Sequence, residues 1–140
     1  MSAEYFLDTN VLIYSFDASA PTKQARAMAL VERALIEGTG VISWQVVQEF
    51  LNVALHKWEV TMTYPDTLEF LKTTLYPLCQ VHPSEEIFQG ALRIQHESQY
   101  RFFDSLVVSS ALHSGATTLF TEDLQDGRKF GTLTIRNPFH

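Results

Sequence analysis

A single cysteine, Cys79, excludes an intrachain disulfide and lacks the companions that a cysteine zinc site needs. Basic residues are also scarce. Ten Lys and Arg stand against sixteen Asp and Glu, a net charge of −6. That balance argues against a protein whose main task is to coat nucleic acid. It leaves room for an enzyme that uses a few carboxylates to cut it. No apolar run approaches the ~18 residues of a membrane helix. The start, Met1 to Glu4, is not basic and the apolar patch after it is short, so no signal peptide is expected and the cytoplasm is the expected compartment. There is no repeat, low-complexity tract or Gly/Ser linker, and a chain of 140 residues suits one domain, 1–140, with one core. His56, His82, His96, His113 and His140 show no HExxH spacing, and there is neither a Gly-rich phosphate loop nor a GxSxG elbow.

Hydrophobic residues make up 46% of the chain, which excludes disorder. Their pattern alternates between short runs and helical spacing. Strands are expected at Glu4–Leu7, Val41–Ser43, Cys79–His82, Thr117–Thr121 and Leu133–Ile135. Helices are expected at Asn10–Phe16, at Lys23–Glu37 with Pro21 in a first turn and Gly38 as its stop, and at Gln45–Trp58. Others are expected at Pro65–Leu75, after the cap Ser84, where Glu85 and Glu86 suit the helix dipole, and at Phe102–His113. Strands alternating with helices predict an α/β fold with a mainly parallel sheet covered on both faces. Ligands in such folds sit at the carboxyl ends of the strands, where strand order reverses.

Four carboxylates occupy positions on that edge. Asp8 ends the first strand in "YFLDTNVLIYSF", where it is also good capping chemistry. Glu49 lies between Val46 and Val53 on an apolar helix flank, where a solvated edge residue or a partner of Lys57 is the alternative to a site role. Asp104 opens "FFDSLVVSSAL" with Val107, Val108 and Ala111 on its face, and a first-turn acid is an equal reading. Asp123 sits in "FTEDLQDG" directly after a strand, beside Glu122 and Asp126, whose roles stay open. Two carboxylates ~4 Å apart repel by about 4 kcal/mol at an effective dielectric of ~20. Hard oxygen donors without histidine or cysteine suit Mg²⁺ or Mn²⁺, which promote phosphodiester cleavage. Arg101, Arg128, Lys129 and Lys57 are near these acids in sequence, to hold substrate phosphates or simply as solvated charge.

These segments in this order resemble the PIN domains, most closely bacterial VapC-type toxins. The likeness runs from Tyr5 to Phe139 through "FLDTNVLIYSFD", "SWQVVQEFLNV", "FFDSLVVSSAL", "TLFTEDLQDG" and "LTIRNPF". It implies a three-layer α/β/α PIN-like fold and a Mg²⁺- or Mn²⁺-dependent endoribonuclease acting on RNA, often tRNA. It further implies the toxin role in a type II toxin–antitoxin pair, a small cognate antitoxin, and often a homodimer. By the resemblance Asp8 and Asp104 hold the metal. Glu49 and Asp123 complete the cluster and orient or deprotonate the attacking water, and Thr9 and Asn10 steady the first carboxylate. Ser105 stands where relatives often carry Ala. One rival reading is a haloacid-dehalogenase-like phosphatase, which wants an Asp where this chain has Asn10. The other is a non-catalytic PIN-fold interaction module, which has no need of all four acids.

Overall fold

The computed structural model describes residues 3–56 and 62–140. Its strands are β1 (Tyr5–Leu7), β2 (Gly40–Ser43), β3 (Cys79–Val81), β4 (Thr118–Phe120), β5 (Lys129–Phe130) and β6 (Leu133–Arg136). They form one sheet in the order β3-β2-β1-β4-β6-β5. Every pairing is parallel except β5 with β6. Helices flank this sheet in the expected three-layer α/β/α arrangement.

β1 lies centrally because all three of its residues are buried, as a strand covered on both faces requires. The chain then runs through α1 (Thr9–Tyr14) and α2 (Pro21–Glu37) to β2, on one side of β1. α3 (Trp44–His56) follows β2 without a break. Lys57 and Trp58, the expected end of α3 and a possible partner for Glu49, lie outside the described residues. α4 (Tyr64–Phe70) and α5 (Tyr76–Leu78) lead into β3. After β3 come α6 (Glu85–Ser98) and α7 (Phe102–His113), which pack on each other. The chain then enters β4 on the other side of β1. Strand order therefore reverses at β1, and the crevice between the carboxyl ends of β1 and β4 is the switch point.

Close packing fixes this frame. A Cβ on Gly40 would stand 2.5 Å from Ala34 Cβ and 2.6 Å from the Tyr5 ring, so only glycine lets β2 pass beneath α2 there. α7 is buried on every side from Ser105 to Ala111. Of its serines, Ser109 Oγ donates to the Ile87 carbonyl at 2.7 Å, while the buried Ser105 and Ser110 hydroxyls have no partner among the described residues. A helix gripped all round holds its first turn, and Asp104 with it, at a fixed place on the sheet edge.

Two features depart from the sequence-based expectation. The single helix expected over Pro65–Leu75 is instead α4, then a wider π-helical turn, Leu71–Leu75, then the short α5. Pro77 explains the change: it has no N–H for the carbonyl four residues back, and its ring crowds that turn. β5 has no counterpart in the expected elements. Its two residues gain strand geometry only from β6, between turns at Gly127 and Gly131 that both have positive φ.

Candidate active site

Asp8 leaves β1 as the N-cap of α1, with Oδ1 accepting from the Thr9 backbone N–H at 2.7 Å. Its backbone N–H donates to the Phe120 carbonyl at 3.1 Å, which joins the ends of β1 and β4. The capping role and the pocket position coincide in one side chain. The Thr121 hydroxyl, just past β4, donates to Asp8 Oδ2 at 2.8 Å.

Asn10 knits the second loop to the first. Its Nδ2 donates to Thr121 Oγ1 at 3.0 Å and to Asp123 Oδ2 at 3.1 Å, with a longer contact of 3.4 Å to Asp8 Oδ2. Its Oδ1 accepts from the Glu122 backbone N–H at 3.2 Å. The Asp123 N–H in turn donates to Thr121 Oγ1 at 3.1 Å. Thr9 serves the first carboxylate through its backbone and takes a second part with its side chain. Its hydroxyl donates to Glu49 Oε1 at 2.8 Å, so it steadies the second acid, while its backbone N–H serves the first. Asp104 stands in the first turn of α7, 3.6 Å from the exposed Arg101 guanidinium.

All four carboxylates, Asp8, Glu49, Asp104 and Asp123, line one open pocket of 320 Å³ with Gln45, Asn52 and Phe103. Gln45 Nε2 donates to the Phe103 carbonyl at 3.1 Å, tying α3 to the start of α7. Its Oε1 is buried without a partner among the described residues.

Burial sets the electrostatics. Loss of water pushes the Asp8 carboxyl up to about 7. The hydrogen bonds from Thr121 and Thr9 oppose this, and the nearby Glu49 and Asp123 charges add to it. Desolvation is therefore a larger cause than the mutual repulsion that four clustered acids suggest.

Glu122 and Asp126 serve elsewhere. Glu122 is engaged by the Lys23 ammonium and accepts from the Tyr14 hydroxyl at 2.8 Å, and Lys23 holds its carboxyl below the usual range. Asp126 accepts from the Asn137 N–H at 2.9 Å. Sequence reasoning passed over Thr121 and Gln45. The position of Thr121, immediately after a strand and two residues before Asp123, was the available signal; Gln45 offered none, since a glutamine on an apolar helix reads as an edge residue.

The donors fit a hard divalent ion: four carboxylates line one pocket, with no sulfur or imidazole lining it. Among the described residues no three His, Cys, Asp or Glu are grouped to hold an ion among themselves. Mg²⁺ asks for less, one or two carboxylates with waters and substrate oxygens completing the shell.

The fold and pocket define an α/β protein with an acidic crevice at its switch point. The sequence profile of the PIN domain family matches residues 5–126. The chain belongs to the PIN domain family, whose members are generally nucleases. Among solved structures it is similar to a toxin–antitoxin complex from Klebsiella pneumoniae, at 17% identity and a TM-score of 0.69, covering 96% of this chain and 98% of that one. It is similar to FitAcB from Neisseria gonorrhoeae at 20% identity and a TM-score of 0.69, covering 97% and 99%. It is also similar to VapBC2 from Rickettsia felis, bound to a DNA fragment from their promoter, at 18% identity and a TM-score of 0.62, covering 95% and 97%. No curated protein matches the sequence significantly.

Proposed function

We propose that this chain is a divalent-metal-dependent endoribonuclease and the toxin of a toxin–antitoxin pair. The observation that carries the chemistry is the meeting of Asp8, Glu49, Asp104 and Asp123 in one pocket at the switch point. Asp8 and Asp104 would hold the ion, Mg²⁺ or Mn²⁺. Such an ion neutralises charge on the scissile phosphate and eases loss of a proton from water. Asp8 is fixed for this by two donors and cannot turn away. Glu49, set by the Thr9 hydroxyl, and Asp123, set by Asn10, have no second partner on their other oxygens among the described residues and would orient the attacking water and take its proton. The phosphatase alternative loses its general acid: Asn10 occupies that place and its amide is committed to Thr121 and Asp123.

The partner reading rests on the assemblies named for the similar structures, two of them toxin–antitoxin or VapBC complexes. A small antitoxin encoded beside this gene, and pairing of two copies of the chain, follow from it as proposals.

The test is cleavage of total tRNA and of unstructured RNA by the purified protein with Mg²⁺, with Mn²⁺ and with EDTA. Metal-dependent fragments are expected. Undiminished cleavage in excess EDTA would refute the metal assignment, and no cleavage under any condition would favour the interaction module. Titration calorimetry with Mn²⁺ separates the roles: Asp8→Asn and Asp104→Asn should lose binding, while Glu49→Gln keeps more of it and still cleaves slowly.

A further inference from the structure

Away from the acidic pocket, a groove of 470 Å³ runs between the end of α6 and the β5 edge, lined by Arg93, Arg128 and Lys129. In a chain with sixteen acids and ten bases, three bases on one groove is a concentration. Among the described residues none of the three is ion-paired, although Glu97 lies in the same wall. Arg128 is also held in place. Its guanidinium lies 4.9 Å from the Tyr100 ring and 5.0 Å from the Phe130 ring, and it donates to Gln125 Oε1 at 3.2 Å. A stacked guanidinium keeps N–H groups free to face an anion, with little freedom left to lose on binding.

The groove connects to the site by two short routes. Tyr100, which stacks on Arg128, is four residues before Asp104, and Arg128 is five residues after Asp123. The Arg128 carbonyl accepts from the Ile135 N–H at 2.8 Å, which anchors it beside β6. β5 is three strand steps from β1, about 14 Å across the sheet.

We infer that the Arg93–Arg128–Lys129 groove binds the phosphodiester backbone of the RNA strand to one side of the cut, as an anchoring site separate from the four acids. This rests on the endoribonuclease reading above and extends it. The groove supplies the positive charge that the acidic pocket lacks, so a chain of net charge −6 can hold a polyanion without a basic surface. Contacts of this kind position a strand without reading its sequence.

The test is anisotropy with a labelled single-stranded oligoribonucleotide in EDTA, where cleavage is off, across a salt series. Arg93→Gln/Lys129→Gln leaves stacked Arg128 and the packing intact. It should weaken binding roughly tenfold and lower the slope of log affinity against log salt by about 1.4, near 0.7 for each phosphate that the variant no longer neutralises. The control Arg33→Gln/Lys72→Gln removes the same charge elsewhere and should leave both quantities near wild type. An equal loss in the control would reduce the effect to net charge and overturn the proposal, as would unchanged binding in the groove variant. The two readings fail separately. Metal-dependent cleavage with unchanged binding in the groove variant sinks the groove alone. Weakened binding in that variant, with no cleavage by wild type under any metal, sinks the nuclease alone.

Discussion

Replacing Asp8 by Asn tests whether the buried carboxylate is a cost the apo fold carries. Its folded value of about 7 lies above the ordinary 3.8. Between these values the folded state binds more protons than the unfolded state, so wild-type stability falls as pH rises from about 4 to about 7. At about 1.4 kcal/mol for each pH step, ionised Asp8 costs the metal-free fold roughly 4 kcal/mol above neutrality. Asp8→Asn removes this charge with little change of shape. It also replaces the acceptor of the Thr121 hydroxyl by a donor or forces the amide to choose between Thr9 and Thr121, at about 1–3 kcal/mol. That loss does not vary with pH. In EDTA the variant should therefore be the less stable protein near pH 4 and the more stable one near pH 8, with the difference in melting temperature swinging by roughly 10 °C. Thermal melting of both proteins at steps across this range is the assay. Titrations remote from the pocket are common to the two chains and cancel in the difference, while the coupling of Asp8 to Glu49 and Asp123 is part of the effect measured. Saturating Mg²⁺ should then raise wild type more than the variant. A stability difference that is flat with pH, or that favours wild type increasingly as pH rises, would refute the burial argument and leave Asp8 as a helix cap.

Thr121→Val removes the hydroxyl shared by Asp8, Asn10 and the Asp123 N–H; it should lower stability by about 1–3 kcal/mol and cleavage with it, read by melting and by RNA assay. Glu122→Gln should leave RNA cleavage near wild type, because that carboxylate is committed to Lys23 and Tyr14; a loss as deep as that of Asp123→Asn would place it in the reaction. Gly40→Ala should destabilise by about 1–3 kcal/mol in urea titration, since the methyl meets Ala34 and the Tyr5 ring; an unchanged midpoint would mean that β2 shifts freely.

The elements legible in the sequence were those whose pattern is local. β1 reads as three apolar residues ending at an acid, and α3 carries its apolar stripe openly. The π-helical turn before Pro77 is a backbone accommodation that side-chain periodicity does not encode. β5 exists through its partner alone. In the pocket, Asp8, Glu49, Asp104 and Asp123 were legible because each is a charge at a joint or on an apolar flank. Thr121 was not, since a threonine after a strand has many uses, and its three-way role arises only when residue 121 meets residues 8 and 10.

The crossing from β1 to β4 also fixes when the pocket can exist during synthesis. Asp8 and Asn10 emerge from a ribosome early, while Thr121 and Asp123 emerge more than a hundred residues later. The first carboxylate finds its second donor, the Thr121 hydroxyl, only after β4 has entered beside β1. A chain that carries only Asp8, Glu49 and Asp104 is thus still without Thr121 and Asp123, and the four-carboxylate pocket exists only once that loop has been made.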